Sequence, residues 1–185
     1  DGGPVEAGQI QQMTDAMAHR GPDGIYHHQR PSVALGHCQL CSTSEALEEV
    51  QPAISADKQL VLVMDGRVDN FEDLRGELTA RGARLRNRSD AELVLAAYEV
   101  WGRDCLQHIV GDFAFVIWDE RRRAAFCARD HNGNKPFCYH WDGKTLTFAS
   151  QISAILALPR VKREQNTGML AEYLANSWHS RSDTL

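Results

Sequence analysis

The sequence predicts an α+β fold in which two mainly antiparallel sheets pack face to face with helices outside. Three observations carry this. Helical and strand patterns come in the order helix, strands, two helices, then a run of strands. The late strands follow one another in hairpins with no helix between them, which excludes a doubly wound parallel sheet. The stretch Asp112–Asp119 (DFAFVIWD) is apolar on both faces, as a strand buried between two layers must be.

Each element has a local warrant. Residues 5–18 carry Ile10, Met13 and Met17 at helical spacing, and HRGPDG (19–24) then breaks the helix with two glycines and a proline. Val33–Leu40 and Gln59–Met64 read as strands. In VMDGRVDN (63–70), Asp65-Gly66 reads as an ordinary turn after a buried strand. Asn70 then reads as the N-cap of a helix with Leu74 and Leu78 on one face, ending near Gly82. Ser89-Asp90-Ala91-Glu92 is a capping box: Ser89 accepts from the Glu92 amide while Glu92 reaches back to the Ser89 amide. Leu93, Ala97, Val100 and Trp101 form the apolar stripe behind it.

Arg123–Asp130 answers Asp112–Asp119 across a short charged loop, so Arg121-Arg122-Arg123 reads as a solvated hairpin tip rather than a phosphate site. Pro136–Trp141 and Thr145–Ala149 make a second hairpin around Asp142-Gly143-Lys144. Ser150–Leu158 is a short helix stopped by Pro159, and Thr167–Ala175 is another. The pattern breaks after Arg160. Residues 1–160 are therefore expected to form one domain and 161–185 the start of another.

Composition narrows the function. Of 185 residues, 43% are apolar and 24% charged, which is ordinary globular usage. A net charge of −5 argues against nucleic acid or an anionic membrane surface as partner. No apolar run approaches the roughly 20 residues that span a bilayer, and no signal peptide is recognisable, so a cytoplasmic location is expected. Asn87-Arg88-Ser89 matches a glycosylation acceptor and is discounted for the same reason. Five cysteines, an odd number, do not suggest a disulfide framework. Cys38 and Cys41 form a C-x-x-C, but no second pair supplies a zinc site, and the motif sits on a strand rather than at a helix start. They read as small buried thiols, and no metal is expected.

Six segments stand together in a recognisable order: HRGPDG (19–24), LGH (35–37), the strand ending in Asp65-Gly66, SDAELVLAAYEVWG (89–102), GDFAFVIWD (111–119) and CARDHNGNKPFCY (127–139). Over residues 5–160 the chain resembles the glutaminase domain of glutamine-dependent asparagine synthetases, a class II amidotransferase. The resemblance implies the N-terminal-nucleophile αββα four-layer sandwich. It also implies a short strand upstream of Asp1, so the first strand is expected to be missing or truncated. Residues 166–185 resemble the approach to the family's ATP-dependent synthetase domain. ATP and Mg are expected there, and no cofactor in this domain.

A working glutaminase of this class uses an N-terminal cysteine whose own amino group is the general base. An Asn side chain and a Gly amide form its oxyanion hole. An Arg clamps the glutamine carboxylate, and acidic groups hold its ammonium. Here the Arg position after LGH is Cys38, and the family's Asn-Gly-Glu is Asp65-Gly66-Arg67. An ionised Asp donates no hydrogen bond and would repel a developing oxyanion. Arg67 sets a cation where an anion should face the ammonium. Only Gly66 and Asp90 keep the pattern, and each has a structural explanation: a φ only glycine adopts readily, and a carboxylate at a helix start. Asp65 is expected to pair with Arg67, or Arg67 with Asp69. His19 and His37 are acid–base candidates that sit in scaffold motifs.

The expected function is therefore a degenerate glutaminase-like domain without catalytic residues. It would serve as scaffold or docking module for an ATP-dependent amide-forming domain of the same protein. The lasso-peptide cyclase and β-lactam synthetase branches resemble this arrangement, and the resemblance to the former implies a precursor peptide as partner. The alternative is a functional glutaminase whose cysteine lies upstream of Asp1. A zinc or redox role for the C-x-x-C is the third reading.

Overall fold

A computed structural model describes residues 3–6, 8–42 and 47–175. The elements are α1 (Gln9–Asp15), β1 (Gly24–Arg30), β2 (Val33–Gln39), β3 (Ala53–Ile54), β4 (Leu60–Gly66), α2 (Phe71–Ala80) and α3 (Asp90–Trp101). They continue with β5 (Phe113–Asp119), β6 (Ala124–Arg129), β7 (Cys138–Trp141), β8 (Leu146–Ala149), α4 (Ile152–Leu156) and α5 (Thr167–Leu174). Strands β3-β4-β5-β6 form one sheet in that order, while β1-β2 and β7-β8 are separate hairpins, all antiparallel.

The pleat of β4 explains the layers. Leu60, Leu62 and Met64 face one way and pack with Phe113, Phe115 and Ile117 against α2 and α3. Val61 and Val63 face the other way and pack with Val116 against Leu35, Phe137 and Phe148 of the hairpin layer. Beyond the hairpins, Met13 of α1 meets Ala154 and Ile155 of α4. The order helix, sheet, hairpins, helix is the expected αββα sandwich, with its second β layer split into two hairpins among the described residues. The double-faced apolar reading of β5 follows from its place between β4 and β6 at the centre of the sheet.

Several expectations need correction. The first helix is narrower than 5–18, because Gly8 adopts a left-handed φ of 83° at its start. Asn70 makes no cap; its side chain instead donates to His108 O at 2.8 Å and accepts from Val110 N at 2.9 Å. The capping box forms only half. Ser89 Oγ accepts from Glu92 N at 3.2 Å, but the Ser89 amide donates to Asn87 and the Glu92 carboxylate is held by Arg86. Strand β1 was not apparent in the sequence, because GIYHHQR lacks an apolar alternation and gains its structure from full pairing with β2. Cys38 and Cys41 are half-buried rather than buried, whereas Cys105 is fully enclosed. No helix among the described residues is long and apolar enough to cross a membrane.

Candidate functional site

Strand β4 does not stop at a turn before Asp65-Gly66. Asp65 pairs with Ala114 and Gly66 with Phe113, and the register continues through Arg67 N to Asp112 O at 2.8 Å. The sequence reading of a simple turn is therefore replaced by a strand that runs on past the glycine. Gly66 has φ +155°, and a Cβ there would stand 2.3 Å from Asp112 O. Opposite it, Gly111 has φ +157° and would meet Arg67 O at 2.2 Å. Two backbones cross at contact distance here, and side chains are excluded from both.

The crossing delivers Asp65 to a cavity of about 1090 Å³ at the edge of the interlayer space. Cys38, Asp65, Gly66, Arg67 and Asp90, far apart in sequence, all line it. Cys38 comes from β2 and Asp90 is the first residue of α3. Arg67 does not pair with Asp65 as one expectation had it. It pairs with Asp69 at 3.0 Å and is two-thirds exposed.

Asp65 is instead gripped from two sides. Arg20 Nη2 donates to Oδ2 at 3.0 Å and Lys135 Nζ to Oδ1 at 2.9 Å. Sequence reasoning missed both cations as site residues, although HRGPDG and NGNKPF contain them. Their separations of 45 and 70 positions left no local signal.

Lys135 is presented by a tightly bound loop. The Asp130 carboxylate accepts from the amides of Asn134 at 2.9 Å and Lys135 at 3.0 Å. Those backbone donors, Lys135 first, hold the Asp130 carboxyl below the usual carboxylate range. The Arg129 guanidinium binds the carbonyls of Gly133 and Lys135 from the other side. Arg20 sits on a short turn tied by Arg20 N to Met17 O at 2.8 Å. The next residue, Gly21, lies so close to β2 that a Cβ would be 2.1 Å from the Cys38 carbonyl carbon.

The rest of the wall mixes His37, Cys38, Glu49 and Asp90 with further cations, Arg67, Arg123, Lys144 and Arg160. Burial drives His37 down to about 4, only partly offset by Asp65, so its ring is neutral near pH 7. His19 stands exposed and outside the cavity lining. Cys38 Sγ donates to Thr14 O at 3.6 Å, and burial pushes its thiol up despite nearby Arg20. Gln51 mimics a strand neighbour of β4: Met64 N donates to its Oε1 at 2.6 Å and its Nε2 donates to Met64 O at 3.1 Å. The same amide contacts the Glu49 carboxylate, whose affinity for a proton is raised by burial and, to a lesser degree, by Asp90. Among the described residues no three His, Cys, Asp or Glu side chains gather as a metal site.

The chemical capacity follows. The side chain at 65 is an acceptor engaged by two cations, and the cavity wall at Cys38 carries a thiol whose hydrogen goes to Thr14 O.

Comparison with known proteins supplies a frame for this cavity. Residues 3–185 match a family model described as a glutamine amidotransferase domain. A glutamine-hydrolyzing asparagine synthetase 3 of Bacillus subtilis is 38% identical over 162 residues, covering 86% of this chain and 26% of that protein. A putative glutamine-hydrolyzing asparagine synthetase 2 of Methanocaldococcus jannaschii is 30% identical, with 85% of this chain and 34% of that protein covered. The chain thus spans about a quarter of the length of one of these relatives and about a third of the other. Among solved structures, the glutamine phosphoribosylpyrophosphate amidotransferase from B. subtilis superposes with a TM-score of 0.69 at 22% identity. It covers 84% of this chain and 42% of the other, a likeness of fold.

Proposed function

Because the chain belongs to the glutamine amidotransferase domain family, as found in asparagine synthetases, we propose that it is a degenerate member whose glutamine cavity no longer supports hydrolysis. The observation that carries this reading is the Asp65 carboxylate, bound by Arg20 and Lys135 at the position where the family places its oxyanion donor. Losing one such donor typically costs about 10²–10³ in rate, and a like charge in its place costs more. Cys38 in place of the carboxylate-clamping Arg removes a second requirement.

In this reading residues 1–160 act as a scaffold or docking module, and residues 161–185 lead to an ATP-dependent amide-forming domain that binds ATP and Mg. A domain that releases no ammonia leaves such a partner dependent on another amine. The lasso-peptide cyclases, in which a peptide amine attacks an adenylated carboxylate, are the branch this favours, with a precursor peptide as partner. Gly66, Asp90 and the glutamine-hydrolyzing names of the relatives favour a second reading, a working glutaminase with its cysteine upstream of Asp1.

Titrating the intact protein with glutamine separates the two. The degenerate domain gives no saturable binding. Saturable binding lost on Asp90→Asn would support the working glutaminase instead.

A further inference from the structure

The grip on Asp65 is built from parts that do not need Asp65. Lys135 is fixed by its loop: Asp130 and Arg129 bind the backbone on both sides, and Asn134 Nδ2 donates to Asp112 Oδ1 at 2.7 Å. Arg20 is fixed by its turn and by Gly21 seated on the Cys38 backbone, with Asp23 N donating to Gln39 O at 3.1 Å. Two cations from segments whose backbones are held independently of Asp65 therefore meet on one carboxylate. Each is about one-third exposed, so water and small solutes reach them.

We propose that Arg20 and Lys135 form a carboxylate-binding seat and that Asp65 is its resident intramolecular ligand, keeping external carboxylates out. The proposal rests on the degenerate reading: the seat is closed to free carboxylates because one is already tethered inside it. Two cations aimed at one carboxylate from different directions recognise it by charge-assisted hydrogen bonds, one to each oxygen. The tethered carboxylate competes intramolecularly, so a free carboxylate must exceed its effective concentration to displace it. The ligand class is thus a small monocarboxylate. Arg67 and Asp69, paired with each other at the rim, leave the seat's charge unaltered.

Acetate is the probe, titrated into the intact protein and followed by NMR shifts of residues 20 and 135. Asp65→Asn should bind acetate at least about tenfold more tightly than the parent. Adding Lys135→Met to Asp65→Asn should return affinity to the parental level. Asp65→Ser serves as the second unblocking variant if Asp65→Asn folds poorly. The proposal is overturned if the parent binds acetate as tightly as the variants, if neither variant gains affinity, or if the gain survives loss of Lys135. Glutamate release by the parent protein would sink the degenerate reading without touching these outcomes, so the two failures are separable.

Discussion

Lys135 Nζ lies 2.9 Å from Asp65 Oδ1, a contact joining residues 70 positions apart across the mouth of the cavity. Both side chains are about one-third exposed, as is Arg20 on the other oxygen. Pairs of that exposure contribute about 0.2–1 kcal/mol each. Asp65→Asn removes both and should therefore lower the unfolding free energy by about 2 kcal/mol or less in urea titrations. A loss beyond about 3 kcal/mol would mean that Asp65 holds the fold rather than occupies a site.

Gly66 should be far less replaceable. Its φ of +155° and the 2.3 Å approach of Asp112 O leave no room for a side chain. Gly66→Ala should cost about 2 kcal/mol or more through strain and displacement of β5. Equilibrium unfolding of the variant checks this, and a neutral result would show that the strands separate easily at that end.

Asn70 offers a test between two structural readings. As an N-cap, Asp would replace it without loss. As a bridge, Asp keeps the bond from Val110 N but cannot donate to His108 O. Asn70→Asp should destabilise the protein by about 1 kcal/mol. An unchanged midpoint would restore the capping role.

These cases show what the sequence could and could not disclose. Periodicity located β4, β5, α2 and α3, because their apolar spacing is a local property. It could not show that β4 runs through Asp65-Gly66, since the paired partner Phe113 lies 47 positions further on (113 minus 66). It missed β1, whose polar residues are ordered by β2, and β3, whose two residues Ala53 and Ile54 carry no period. The five site positions named from motifs do meet in one cavity. Arg20 and Lys135 stayed hidden because each sits in a scaffold motif and meets Asp65 only through tertiary structure.

The pH dependence of stability should carry the mark of His37. Burial lowers its pKa from 6.5 to about 4 in the folded chain. Between those values the unfolded chain binds a proton that the folded one refuses, so stability falls as pH drops through 6.5 and levels off below 4. The full loss should be on the order of 3 kcal/mol. His37→Gln should flatten the profile of urea midpoints between pH 7 and pH 4.5, roughly the window the shift defines. A profile that the substitution leaves unaltered would place the imidazole in solvent.

The central claim is that the cavity has lost glutamine hydrolysis, and glutamate release tests it most directly. The intact protein, incubated with millimolar glutamine at neutral pH, should release glutamate no faster than a protein-free control. Sustained turnover that is abolished by alkylating an N-terminal cysteine would contradict the claim and establish a working glutaminase.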